Sequence, residues 1–165
     1  MDKTFEEFIA KAKRLGLCQE YTDKVDKAKS KKAFMDICLD ANGMPWVARS
    51  IAKGWGLTAE YICREYAPFN NGKYVRDMDG YTSAMYCLDG KGDDIAAIRA
   101  TTTALIAIDF IGTIYIPKNR ICEMHLVNCK CYIKGDGKAN VYIYGEDADI
   151  YDYDKSNVKI IRDEL

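Results

Sequence analysis

Apolar residues recur at helical spacing in the first part of the chain and at strand spacing in the last. Phe5, Phe8, Ile9, Ala12 and Leu15 fall on one face of a helix. Thr4 ahead of them, with Glu7 three residues on, reads as a capping box, and Gly16 as a stop. From Cys18 to Lys32 only Tyr21, Val25 and Ala28 form a weak stripe, set among lysines and read as a solvated face. Ser30 can cap a third helix with the stripe Phe34, Ile37, Cys38 and Ala41, ended by Asn42-Gly43. Pro45 suits the first turn of a fourth helix, Trp46 to Lys53. Thr58 caps a fifth, Ala59 to Tyr66, which Pro68 ends.

After Asn70-Asn71-Gly72 no helical period survives, and turn signals recur at Asp79-Gly80 and Asp89-Gly90-Lys91-Gly92. From about Thr101 the chain reads as strands: 104–108, 113–116, 121–127, 131–133, 141–144, 150–151 and 158–161. Between them stand the turn formers Pro117-Lys118-Asn119, Gly135-Asp136-Gly137 and Asp154-Lys155-Ser156-Asn157. A faint repeat of about 18 residues aligns Ile114-Tyr115-Ile116, Cys131-Tyr132-Ile133 and Ile150-Tyr151. Two architectures fit such a repeat, an antiparallel meander and a short parallel β-solenoid, and the Asp136-Gly137 turn favours hairpins locally. The expected fold is therefore α+β. A helical subdomain over 1–76 is followed by a β-rich subdomain over 77–165, either a sheet or sandwich, slightly favoured, or a short β-solenoid.

Composition narrows the class without naming a function. Hydrophobic residues make up 48% of the 165-residue chain and charged residues 30%, which is ordinary for a folded globular protein. Net charge is −1, but residues 1–76 carry 14 basic against 10 acidic groups, so any polyanion contact belongs to the front half. No stretch is long and apolar enough for a membrane span, and the charged start carries no export signal. The seven cysteines are accordingly expected to be reduced thiols in a cytoplasmic setting. The terminal Arg162-Asp163-Glu164-Leu165 looks like an endoplasmic-reticulum address but has no meaning without an entry signal.

Three constellations invite chemistry. In the first, Ala52, Gly56 and Ile62 have helix-turn-helix spacing, with Ile51, Trp55 and Leu57 as apolar neighbours. Such a second helix would present Ala59, Glu60, Tyr61, Cys63 and Arg64 outward, making Tyr61, Arg64 and the later Lys73 the nucleic-acid contacts. Of these Arg64 is the good donor, while Glu60 and Glu65 would repel a phosphate backbone. In the second, Cys122, His125, Cys129 and Cys131 have zinc-like spacing. Strand alternation argues against convergence, putting His125, Cys129 and Cys131 on one face and Cys122 on the other, so no metal or cofactor is expected. In the third, Tyr151, Asp152, Tyr153 and Asp154 alternate charge with aromatic rings, as an edge strand guarded by charge or as a face for a basic partner. His125 is the only histidine, and no nucleophile elbow, phosphate-binding loop or dinucleotide fingerprint occurs. Asp89 to Asp94 fails as a calcium loop because Lys91 and Ala100 stand where ligands are needed.

The stretch from Ile51 to Tyr74 resembles the second helix-turn-helix of arabinose-regulator type transcription factors, over about 25 residues. A wider resemblance is carried by Leu17-Cys18-Gln19-Glu20-Tyr21, Gly54-Trp55-Gly56-Leu57, Asn71-Gly72-Lys73-Tyr74, Gly80 to Cys87 and Ile116 to Glu123. There the chain is similar to a group of small proteins, without assigned activity, from gut Bacteroidales and their phages or integrated elements. The likeness implies a bacterial or viral origin and carries over no site residues. With twelve tyrosines and no assembled catalytic set, the expectation is a protein-binding, non-enzymatic molecule, such as a phage or mobile-element inhibitor of a host system. The alternatives are a DNA-binding regulator and a self-associating phage structural or assembly component, hence a homo-oligomer.

Overall fold

The computed structural model describes residues 3–65, 75–78, 81–87, 96–145 and 148–164. The loops expected at Asn70-Asn71-Gly72, Asp79-Gly80 and Asp89–Asp94, and Lys73 with them, lie outside these residues. Five helices come first: α1 (Lys3–Arg14), α2 (Gln19–Lys27), α3 (Lys31–Cys38), α4 (Gly43–Lys53) and α5 (Ala59–Glu65). Ser30 caps α3 as expected, its hydroxyl accepting from the Ala33 N–H at 3.1 Å, and Thr58 does the same for Tyr61 at 3.0 Å. Thr4 does not cap α1, because the helix already includes Lys3.

Ten strands follow: β1 (Val75–Met78), β2 (Tyr81–Cys87), β3 (Ala96–Arg99), β4 (Ala104–Ile108), β5 (Ile111–Ile116), β6 (Ile121–Val127), β7 (Lys130–Gly135), β8 (Lys138–Tyr144), β9 (Asp149–Tyr151) and β10 (Val158–Arg162). They form two sheets, β1-β2-β4-β6-β8-β10 and β3-β5-β7-β9. Every pairing is parallel except β1 on β2. The β half is therefore a short parallel solenoid of about four coils, in which successive strands from β2 onward alternate between the two sheets. The favoured antiparallel meander is thus corrected. From β4 onward the described links between strands are corners, not hairpins, and several are turned by acidic or amide residues in the left-handed region: Asp109, Asn119, Asn128 and Asp152, with φ of 52, 63, 52 and 53°.

The repeat survives, but in another phase. Ala104 pairs with Glu123, and Thr113 with Tyr132 and so with Tyr151, steps of 19 residues. Tyr115, expected in line with Tyr132, stands beside Lys134 instead.

Alternation along each strand now has a cause. In β4 all five residues are buried, because Leu105 and Ala107 face the solenoid interior while Ala104, Ile106 and Ile108 face the helices. The interior is built of apolar columns running along the coils, Leu105–Met124–Val141–Ile160 and Ala107–Leu126–Ile143 from the first sheet and Ile98–Ile114–Ile133 from the second. Each large side chain so buried contributes about 1.5–3 kcal/mol. A second core joins Phe5, Phe8, Phe34, Met44, Val47 and Ile62 of the helices to Met85, Ile106, Ile108 and Val127 of the first sheet. Helices thus cover the outer face of the first sheet, and the second sheet turns its outer face to solvent.

Candidate functional site

The uncovered face follows from the strand pattern. In β5 burial reads exposed, buried, intermediate, buried, exposed, buried, so Ile111, Thr113 and Tyr115 point out while Gly112, Ile114 and Ile116 point in. In β7 the same rule sends Lys130, Tyr132 and Lys134 outward, and in β9 Asp149 and Tyr151. Parallel register sets these side chains in rows across the sheet: Ile111–Lys130–Asp149, Thr113–Tyr132–Tyr151 and Arg99–Tyr115–Lys134. Four large apolar side chains stand well exposed here, Ile111 at 50%, Tyr115 at 44%, Tyr132 at 47% and Tyr151 at 46%. The Tyr132 and Tyr151 ring centroids are 5.5 Å apart. Lys134 lies 5.5 Å from the Tyr132 ring and pairs with Asp152 at 3.3 Å. The Tyr151 hydroxyl donates to the Asp149 carboxylate, which raises the phenol above its usual range. The result is an aromatic centre rimmed by charges of both signs.

Of the acidic, tyrosine-bearing run, Tyr151 belongs to this face and Asp152 to its rim. Tyr153 instead packs on the solenoid interior, and Asp154 holds the next turn by accepting from the Ser156 N–H at 2.8 Å and the Ser156 hydroxyl at 2.7 Å. Those two bonds lower the Asp154 carboxyl. Tyr115, Tyr132 and Ile111 were missed as site residues. Their signal was the 19-residue step, which brings three strands into one row.

The cysteine–histidine cluster does not assemble. Asn128 turns a corner between β6 and β7, so Cys129 and Cys131 point into the interior from the second sheet, where Cys122 points from the first. His125 faces the opposite way, toward the helices, so the expected shared face is corrected. Among the described residues no group of three or more potential ligands is gathered as a metal ion would need. Burial pushes the Cys122 and Cys131 thiols up to about 12, and Cys38 and Cys129 higher still. Cys87 is disulfide-bonded, which corrects the expectation that all seven cysteines are reduced.

His125 has partners of its own. Its Nδ1 is 2.8 Å from the Tyr144 hydroxyl and its Nε2 2.8 Å from Glu123 Oε1. An ionised Glu123 can only accept, so Nε2 donates to it, and in a neutral imidazole Nδ1 then accepts from Tyr144. Tyr142, beside His125 in register, stacks on it at 5.0 Å. These groups, with Arg49, Arg162 and Asp163, line a cleft of about 350 Å³ where the helical layer ends. Arg49 grips Asp163 through Nε and Nη2 at 3.0–3.1 Å. Ionisable side chains therefore do converge, but burial raises the Tyr144 phenol, which keeps its proton and acts as a donor to the ring.

Gly56, the glycine read as the helix-turn-helix turn, lies between α4 and α5 with φ of 115°. Gly54 ends α4 with φ of 68°, and the Leu57 N–H donates to the buried Ser50 hydroxyl at 3.2 Å. The nucleic-acid contacts assigned to this segment do not all hold. Tyr61 is buried, meeting the Phe5 ring at 5.6 Å, because α5 packs this face on α1. Arg64 is exposed but bound to Glu65 at 3.0 Å. No helix among the described residues is long and apolar enough to cross a membrane. Set against protein-family models, curated proteins and solved structures, the chain matches none of them.

Proposed function

We propose that this protein is a binding protein rather than a catalyst, and that it recognises a protein partner through the outer face of the second sheet. The observation that carries the reading is the set of exposed rings, Tyr115, Tyr132 and Tyr151, standing with Ile111 on one face. Tyrosines bury much area while losing few rotors, and a recognition patch has an aromatic centre with a polar rim. Arg99, Lys130, Lys134, Asp149 and Asp152 supply that rim. A non-catalytic role is supported by His125, whose two ring nitrogens are both held by protein groups. Use as a phage or mobile-element inhibitor of a host system is part of this proposal, in keeping with the bacterial or viral origin that the Bacteroidales resemblance implies.

The test is capture of the partner from host extract, its identification by mass spectrometry, and calorimetric titration of the purified pair. Tyr132→Ala and Tyr151→Ala should each weaken binding by about 10-fold or more, as for centrally placed interface rings. Affinity unchanged in both variants sinks the proposal. Light scattering on the unpartnered chain separates the self-assembly reading, since a homo-oligomer broken by Tyr132→Ala would make a second copy the occupant.

A further inference from the structure

A groove on the helical half is built around the turn between α4 and α5. Gly56 there has φ of 115°, and a Cβ on it would stand 3.1 Å from the Phe8 nitrogen and 3.2 Å from the Thr4 carbonyl oxygen. Only glycine lets the turn press this closely on α1. The contact sets Lys53 and Trp55 beside Glu7, Lys11 and Arg14, around a groove of about 400 Å³. Trp55 is half-buried, its ring 6.1 Å from that of Trp46, so the indole is supported from behind. Gly54 and Trp55 both donate their N–H to the Ser50 carbonyl, which fixes the turn.

Elsewhere on the helices most basic side chains are ion-paired, and among the described residues Lys3 and Lys27 are not. Lys13, Lys24, Lys31, Lys32, Arg49 and Arg64 each have a carboxylate partner. Among the described residues Lys11, Arg14 and Lys53 have none, and Arg14 Nε donates to the Ala10 carbonyl within its own helix. Three cations against Glu7 leave the groove with a surplus of positive charge next to an indole.

We propose that this groove binds a nucleotide unit, with phosphate held by Lys11, Arg14 and Lys53 and a base laid against Trp55. Cations following a phosphate backbone beside an aromatic platform are the means by which single strands are bound without sequence reading. The site is separate from the α5 surface, where Glu60 and Glu65 oppose phosphate and Tyr61 is buried. It is also independent of the protein-binding face on the second sheet.

The experiment uses the full chain, with fluorescence anisotropy of a labelled oligothymidylate of about 10 nucleotides at ~50 mM salt. Unlabelled adenosine monophosphate, inorganic phosphate and duplex DNA of the same length serve as competitors, and tryptophan quenching as a second readout. Binding of the oligomer is expected, weakened roughly tenfold or more by the pair Lys11→Glu and Lys53→Glu. Trp55→Leu should weaken it by about fivefold or more, while Trp55→Phe keeps most of it. Lys159→Glu, on the far strand β10, should leave it unchanged, and far-UV dichroism confirms that each variant is folded. Competition by adenosine monophosphate at an affinity equal to the oligomer's identifies a free nucleotide as the source, and preference for the oligomer identifies a single strand. No binding of either, binding indifferent to the charge reversals, or competition by inorganic phosphate alone with no effect of Trp55→Leu overturns the proposal.

Discussion

His125 is 1% exposed and has a protein partner on each ring nitrogen. Removing the Tyr144 hydroxyl leaves Nδ1 facing no donor inside the protein. Tyr144→Phe should therefore cost about 1–3 kcal/mol in urea unfolding, the usual penalty for an orphaned buried polar group. Unchanged stability would mean that water replaces the phenol and that the trio has no structural role. The thiols give a sharper contrast at the same scale. Cys18 is exposed, whereas Cys38, Cys122, Cys129 and Cys131 are buried, with pKa raised by desolvation. Alkylation needs the thiolate, and a raised pKa keeps the thiol protonated at pH 8, with the thiolate appearing only as pH climbs toward the shifted value. Peptide mapping after iodoacetamide at pH 8 should find Cys18 labelled first, the four buried thiols only after denaturation, and Cys87 only after reduction as well. Fast labelling of Cys122 or Cys131 in the folded protein would contradict their place inside the solenoid.

Corners carry the solenoid as much as strands do. Gly135 closes β7 with φ of 112°, and a Cβ on it would run into the Ile116 carbonyl oxygen of the neighbouring strand. Gly135→Ala should lower stability by roughly 1–3 kcal/mol, read as a shift of the urea midpoint at constant slope. A neutral result would show that the corner can open without loss. Such positions also explain what could and could not be read in advance. Strand locations were legible because apolar residues alternate from 104 to 161, and β4 appears as a continuous run because it has protein on both sides. Direction was not legible. Asp136-Gly137 reads as a hairpin turn by local rules, and only a long-range fact, the 19-residue recurrence of Asp109 at Asn128 in the left-handed region, marks a coil instead. The exposed tyrosines were visible singly. Their assembly required register, which tyrosine counts do not contain. Tyr61 was misread for a similar reason: seven residues of α5 fit two faces, and the packing of Phe5 chose between them.

At the scale of the whole molecule, the helical layer is joined to the solenoid by the core on the first sheet and, among the described residues, by one ion pair at its rim. Arg49 on α4 grips Asp163, the residue just after β10, with side chains only 19% and 11% exposed. The Asp163 N–H also donates to the Ile143 carbonyl, continuing the ladder past the last strand. Because β10 is paired on one side only, by β8, this clamp adds a tie between the final coil and the first half of the chain. A partly buried, two-pronged guanidinium–carboxylate contact is stronger than a surface pair, and breaking it leaves a charge without its partner. Arg49→Ala and Asp163→Ala should each destabilise the fold by about 1–3 kcal/mol, and a double-mutant cycle should return a coupling of at least ~1 kcal/mol. Hydrogen exchange supplies the spatial test. In either variant the amides of Val158–Arg162 should exchange faster, while those of Leu126 and Leu105, two and three strands inward, keep their protection, since the core beneath them is untouched. Uniform loss of protection across all coils would instead make the solenoid and helices one cooperative unit with no separately tethered end.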